Sequence, residues 1–370
     1  MTRSAINVAL GFVTLGCAPA ERPTVGPAVD LVVVDSSVLA VDLAGVSGVV
    51  RTSSGAVVVA EQGAASLLVL RPGIPPIHLG RRGSGPGEFG LLYRVHLCPT
   101  DSIVVHDYDG RIHLFSDTGF LRTILLPPRL SAAEFLGCPS ADTLAFAKLP
   151  DRIPGMGLHL MPITVFGYAM STANVQWRAT LRGTEMFISE RYSALYERPF
   201  GAQTLLAAGR SGVATAETGR RELRLIVEDG GFETLYFLPS ESRGTSQKAR
   251  TRYLKERLAE EPDSASRVTL RKILDEAPWG DYLPEVDRLL ASQSGAFWLR
   301  RSPSAVDSLA EWLVISRDSP IIQRIFLDRS LRLQFVDDTR ILALQETSDG
   351  YERLRELVFK GITTAPDTSR

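Results

Sequence analysis

Lysine, asparagine, histidine and cysteine are all scarce in this chain. Only five of its 41 basic residues are lysine, and the arginines are scattered, so no basic run offers a sequence-independent grip on nucleic acid. With 42 acidic residues the formal net charge is −1, which together with an ordinary apolar fraction argues against disorder. Five histidines and three cysteines are too few and too dispersed for a Cys/His metal cluster. The G-x-S-x-G elbow and the H-E-x-x-H helix are missing, which removes two hydrolase signatures.

What is plentiful is turn chemistry between short apolar runs. The stretch GRRGSGPGEFG, Gly80 to Gly90, combines glycines that allow positive φ with Pro86, which fixes φ, so it reads as a shaped crossing loop. Four strand-like runs follow it: YRVHLCP, SIVVHDYD, IHLFSD and FLRTILL. This antiparallel meander has the size of one propeller blade. Comparable units begin near Gly48, Glu134, Gln203, Glu285 and Leu331, with first turns near Gly55, Asp101, Asp142, Gly212, Gly295 and Asp338. The last unit offers only three strands, and the run from Asp30 to Leu43 has no neighbour of its own. The N-terminal strand is therefore predicted to complete the last sheet and remove its exposed edge.

The reading is an all-β, six-bladed β-propeller of four-stranded antiparallel blades over residues 30–361. A short α-helical insertion, residues 245–277, separates blades four and five. Helix formers fill SQKARTRYLKERLAEE, and Asp263 and Ser264 can cap a second helix reaching Ile273 and Leu274. The insertion reads either as a cover over one face or as a solvated connector.

Residues 1–17 read as an export signal. Arg3 supplies the positive region, Val8 to Leu15 an apolar region too short to span a bilayer, and Leu15-Gly16-Cys17 a junction at which a bacterial lipoprotein precursor would be cut. Lipidation of Cys17 is expected, with simple secretion as the alternative. Residues 18–29 form a Pro- and Ala-rich tether and residues 362–370 a polar tail. The expected place is the bacterial cell envelope, as a membrane-anchored lipoprotein or a periplasmic protein that touches the membrane through lipid alone. Cys98 and Cys138 each precede a proline just ahead of the first turn of successive units. An oxidising compartment permits a disulfide between them; two buried thiols in small apolar sites is the other reading.

Several of these features together resemble one group. They are the LGC at Cys17, the loop GRRGSGPGEF ending at Phe89, the D-x-D-G-R-I core of SIVVHDYDGRIHLFSDTG, the helical insertion, and YLPEVDRLLASQSGAFWL introducing the fifth unit. The chain is similar in them to bacterial six-bladed β-propeller lipoproteins related to the NHL-repeat propellers. The resemblance implies a fold and a cell-envelope location; it carries over no catalytic residue. Units three and four depart from it, because their D-x-x-G-R-I turn is not recognisable.

Propellers usually bind ligands where outer-to-inner crossings and second-to-third-strand turns open around the axis. Expected there are Arg81, Arg82 and Glu88 from the glycine loop, Glu61 and Gln62 from the first unit, Asp107, Tyr108 and Asp109 from the second, and Lys148, Asp151 and Arg152 from the third. Mixed charge with one aromatic suits a polar or peptide-like ligand. In the structural reading Gly83, Gly85, Gly87 and Glu88 shape the crossing, Glu88 bonds loop amides, and Phe89 is wedged between sheets. Asp107 and Asp109 are then Asx-type caps rather than calcium ligands. An axial metal site is poorly supplied. Beyond Cys17 the chain has one asparagine, Asn174, and His78, His96, His106, His113 and His159 crowd into the first three units, where they cannot surround an axis; His106 and His113 read as surface or satisfied strand residues. The expectation is a monomeric, non-catalytic binding platform without metal or cofactor, for an unknown protein or small polar ligand and not for nucleic acid. The alternative is a metal-assisted, lactonase-like hydrolase or lyase at the axial mouth.

Overall fold

The computed structural model describes residues 29–362, except 44, 108–109, 153, 190, 192–194, 219, 228, 239–243, 260–263, 303–306 and 320. Cys17, Tyr108, Asp109 and Asp263 lie outside the described residues, as do the leader and the last eight positions.

A long strand, β1 (Val29–Leu43), comes first. The first sheet holds β2 (Val46–Arg51), β3 (Val57–Glu61), β4 (Ser66–Arg71) and β5 (Ile74–Leu79); the second holds β6 (Leu92–Leu97), β7 (Ile103–Asp107), β8 (Arg111–Ser116) and β9 (Gly119–Leu125). After a one-turn helix, α1 (Pro128–Ser131), the third sheet has β10 (Glu134–Gly137), β11 (Thr143–Lys148), β12 (Gly157–Ala169), β13 (Asn174–Ile188) and β14 (Leu195–Glu197). The fourth has β15 (Thr204–Gly209), β16 (Gly212–Glu217), β17 (Glu222–Ile226) and β18 (Phe232–Phe237). Helices α2 (Gln247–Ala259) and α3 (Ser264–Glu276) follow. The remaining strands are β19 (Val286–Ala291), β20 (Phe297–Arg301), β21 (Leu309–Ile315), β22 (Gln323–Asp328), β23 (Leu331–Val336), β24 (Arg340–Glu346) and β25 (Glu352–Ile362). They join β1 in one eight-stranded sheet, ordered β19-β20-β21-β22-β1-β25-β24-β23. The fold is all-β and propeller-like.

Sequence follows position within each sheet. Strands covered on both faces read as unbroken apolar runs: in β3, VVVAE, four residues are buried, and in β7, IVVHD, all five are. Outermost strands tolerate what a central strand cannot, and β5, IPPIHL, carries Pro75 and Pro76 on a largely exposed edge.

Among the described residues, hydrophobic clusters join each set of strands to the next. Phe89, Val95 and Phe115 bridge the first and second sheets; Phe135, Phe146 and Ile112 the second and third; Leu136, Val165 and Val213 the third and fourth. Leu223 and Phe297 pack the fourth against β19–β22, and Trp298, Ile341 and Phe359 pack β19–β22 against β23–β25. Leu342, Leu344 and Leu354 then meet Val49, Val57 and Val59 of the first sheet, so the last strands return to the first. Two inner-strand positions require glycine. A Cβ on Gly48 would stand 2.9 Å from Val95 Cγ1, and one on Gly209 would stand 2.7 Å from Ala291 Cβ, forcing neighbouring inner strands apart.

The N-terminal strand completes the last sheet as expected, β1 pairing antiparallel with β25 from Asp30–Ile362 to Leu43–Glu352. Two features differ from expectation. Val29 to Leu31 also pair in parallel with Gln323 to Ile325 of β22, fusing the last two sets of strands into one sheet. The third sheet has five strands, because β12 and β13 run on beyond β11 and β14 adds to their far end, Met186 to Ile188.

Helices α2 and α3 occupy the predicted insertion, and Ser246 Oγ accepts the Ala249 amide at 3.2 Å as a cap. The insertion is packed rather than solvated. Leu270, Ile273 and Leu274 are buried, the rings of Phe200, Tyr253 and Trp279 meet edge-on at 5.2–5.5 Å, and Glu256 pairs with Arg329 at 3.0 Å on the crossing that leads into β23.

Candidate axial binding site

The glycine loop is held together by its own groups. Glu88 accepts the Gly85 amide at 2.9 Å and Arg81 Nε at 2.8 Å, and these contacts hold its carboxyl below the usual range. Its carboxylate fills the space a Cβ on Gly83 would take, 2.1 Å away. Phe89 is fully buried, its ring edge-on to His113 at 5.4 Å. The loop is a built crossing between two sheets, as the structural reading of its glycines expects.

Asp107 corrects the expectation that it faces a ligand. It is fully buried, and its oxygens accept the Gly90 and Leu91 amides, each at 3.0 Å, and Arg111 at 2.5 Å. Burial alone would raise its pKa; the two amides and the guanidinium outweigh that and hold it below the ordinary value. Asp107 thus clamps the end of the crossing loop. Lys148 pairs with Asp151 at 2.5 Å, Arg82 and Arg152 are exposed, and Glu61 and Gln62 are half-buried. None of these residues lines the cavity at the axis.

That cavity has a volume of about 220 Å³. It is walled by β2, β6, β15, β19 and β23 and by the turns carrying Pro99, Arg210, Ser292 and Gln293. Its polar lining consists chiefly of Arg94, His96, Arg210, Gln293 and Gln334, with two serines and no carboxylate. Arg94 and His96 stand two apart on β6 and so share a face. Arg94 pairs with Glu134 of β10 at 2.5 Å. Arg210 is exposed in the β15–β16 turn and makes no ion pair among the described residues. Gln293 Nε2 donates to the Leu97 carbonyl at 3.4 Å, tying one inner turn to another strand.

Burial, reinforced by the neighbouring charges of Arg94 and His106, pushes the His96 imidazole down to about 3, so it is neutral at physiological pH. Its Nε2 has no hydrogen-bond partner among the described residues. His106, opposite Arg94 on β7, is pushed down to about 4, chiefly by burial. It lies against Phe135 and Phe146 with neither ring nitrogen bonded, so it is neither a surface residue nor a satisfied one. His113 is buried, with Nδ1 2.9 Å from Thr123 Oγ1 and Nε2 3.7 Å from Asp107 Oδ2, so it is a buried strand residue with one ring nitrogen bonded. Among the described residues no group of three or more His, Cys, Asp or Glu is placed to hold a metal ion.

The turns at one end of the inner strands are fixed to each other. Cys98 and Cys138 form a disulfide with Cα atoms 5.1 Å apart, and Asp101 accepts both the amide and the hydroxyl of Ser53 at 2.8 Å. The cavity's Pro99, Arg210 and Gln293 belong to this turn end, opposite the glycine-loop crossings. The cavity thus lies at the end opposite the glycine-loop mouth to which the sequence points, and Arg94, Arg210, Gln293 and Gln334 were not among the residues expected to bind. The available signal was polar side chains within or just after the innermost strand of each unit, where a filled core would carry apolar ones.

No family model matches the chain, and no curated protein matches it. Among solved structures it is similar to a catalytically inactive virginiamycin B lyase from Staphylococcus aureus with quinupristin, at 10% identity over 89% of this chain and 99% of that one, with a TM-score of 0.41. It is similar to U3-55K at 10% identity over 88% and 98%, TM-score 0.44, and to a putative gluconolactonase at 11% identity over 89% and 94%, TM-score 0.41.

Proposed function

We propose that the chain is an exported six-bladed β-propeller, lipid-anchored at Cys17 and monomeric, that binds a polar ligand or partner segment bearing an anionic group in its axial cavity. The observation that carries this reading is the lining of that cavity: two arginines, a neutral histidine and two glutamines, without a carboxylate. Such a set offers hydrogen-bond donors and positive potential to an acceptor-rich ligand. The six-bladed reading treats the eight-stranded sheet as two sets of four strands joined by the short seam at β1, and the clusters between successive sets support it. Export is supported by the LGC at Cys17 and by the disulfide, which oxidising compartments preserve. The cross-linked inner turns suit a rigid platform.

The test is elemental analysis of the mature protein purified from the periplasm without chelator, followed by a thermal-shift titration with glutarate, a small dicarboxylate. The expected result is no stoichiometric metal and a saturable rise in Tm. A stoichiometric calcium or zinc whose removal lowers the Tm would instead favour the alternative, a metal-assisted hydrolase or lyase at the same cavity, and lactones and esters would be the substrates to screen.

A further inference from the structure

We infer that a second cavity, between β19–β22 and β23–β25, is a binding site for a small organic cation. It has a volume of about 350 Å³ and shares no lining residue with the axial cavity. It lies at the same turn end, farther out. Its origin is the seam at β1: the strand binds both neighbouring sets of strands at their outer edge through Val29 to Leu31, the inner turns meet through the Gln293 amide on the Val336 carbonyl at 3.1 Å, and space is left between these two ties.

The chemistry of the walls selects the ligand. Trp298 and Phe359, ring centroids 5.5 Å apart and edge-on, supply an aromatic wall. Asp337 and Asp338 line the cavity, and among the described residues no lysine or arginine does. Asp337 uses Oδ1 to accept the Thr339 and Arg340 amides of its own turn, at 2.8 and 2.7 Å. Asp338 is exposed and has no partner among the described residues. Ser316 and Ser319 each accept one local amide and keep a hydroxyl proton to orient. Two carboxylates without a counter-charge disfavour an anion, and the described residues assemble no three-ligand set for a bare metal ion. An alkylammonium group fits both features, its charge met by carboxylate and its methyl or methylene surface by the aromatic wall. The volume lies in the range of small-molecule pockets.

The test uses choline and its neutral isostere 3,3-dimethylbutan-1-ol as probes in calorimetric titrations of the intact protein. Choline is expected to bind saturably and at least about tenfold more tightly than the isostere. Asp338→Asn, an exposed change, is expected to leave the Tm in place and to weaken choline about tenfold while leaving the isostere unaffected. Hydrogen exchange gives a second readout: choline should slow exchange of the Leu31 and Ile325 amides at the seam. The inference is overturned if choline fails to bind at about 10 mM, if the isostere binds equally well, if Asp338→Asn changes nothing, or if protection appears only along the axial strands.

Discussion

The junction between the second and third sheets and the junction between β19–β22 and β23–β25 are held together by different ties. The first is fastened at its inner turns by the Cys98–Cys138 disulfide and filled with Phe135, Phe146, Tyr168 and two neutral histidines. The second is fastened at its outer edge by backbone pairing between β1 and β22 and at its inner turns by the Gln293 amide on the Val336 carbonyl at 3.1 Å. Its aromatic core of Trp298, Trp312 and Phe359 is equally apolar, yet a cavity lies between the two ties. A covalent tie at the inner turns goes with a wedge filled by side chains; a seam at the outer edge with a single inner hydrogen bond goes with a wedge that keeps a cavity.

The largest effect that would sharpen this comparison comes from truncating one ring on each side. Phe135→Ala removes a fully buried side chain and is expected to cost about 3–5 kcal/mol in urea unfolding. Phe359→Ala, beside space that already exists, is expected to cost less. Equal losses would mean that the two junctions are packed alike. Next comes the disulfide, which closes a sequence separation of 40 residues. Replacing both cysteines with serine should lower stability by about 2–4 kcal/mol, and reductant should then have no further effect.

The buried histidines give the first junction an acid sensitivity that the second lacks. His96 and His106 have folded-state pKa values depressed from 6.5 to about 3 and about 4, so below 6.5 the unfolded chain binds more protons than the folded one. Stability therefore falls as pH drops from 6.5 towards these values, by up to about 1.4 kcal/mol per pH unit for each group. The contribution is fully present above 6.5. Urea midpoints measured from pH 7.5 to 4.5 should show that slope, and His106→Phe should roughly halve it, because His96 remains; an unchanged slope in the variant would assign the acid sensitivity elsewhere. The smallest effect is at the rim. Arg324 and Asp30 pair at 2.7 Å on an exposed surface, and Asp30→Ala should move the urea midpoint the least of these changes, and less still in high salt.

Much of this fold is legible because its signals are local. Period-two apolar runs, Gly- and Asp-containing turns, and the helix formers between β18 and β19 mark nearly every strand and both long helices. Phe89 and Glu88 could be assigned to a crossing because the glycines around them leave room for little else. The features that were not legible depend on relations between distant segments. Three residues of parallel pairing at Val29 to Leu31 have no pattern of their own, and β14 is too short to show one. Asp107 reads as a turn cap until the Gly90 and Leu91 amides are brought onto it. The axial lining was hidden for a similar reason: Arg94, Arg210, Gln293 and Gln334 lie on five-residue scales in separate units, and only closure of the ring brings them to one cavity.

The most direct test of the central claim, that recognition occurs at the axis and not at the glycine-loop mouth, is calorimetric titration of glutarate into the wild type, Arg210→Ala and Arg82→Ala. Both arginines are exposed, so neither change should disturb folding. The account predicts binding weakened about tenfold in Arg210→Ala and unchanged in Arg82→Ala. The opposite pattern, or equal binding by all three proteins, would contradict it.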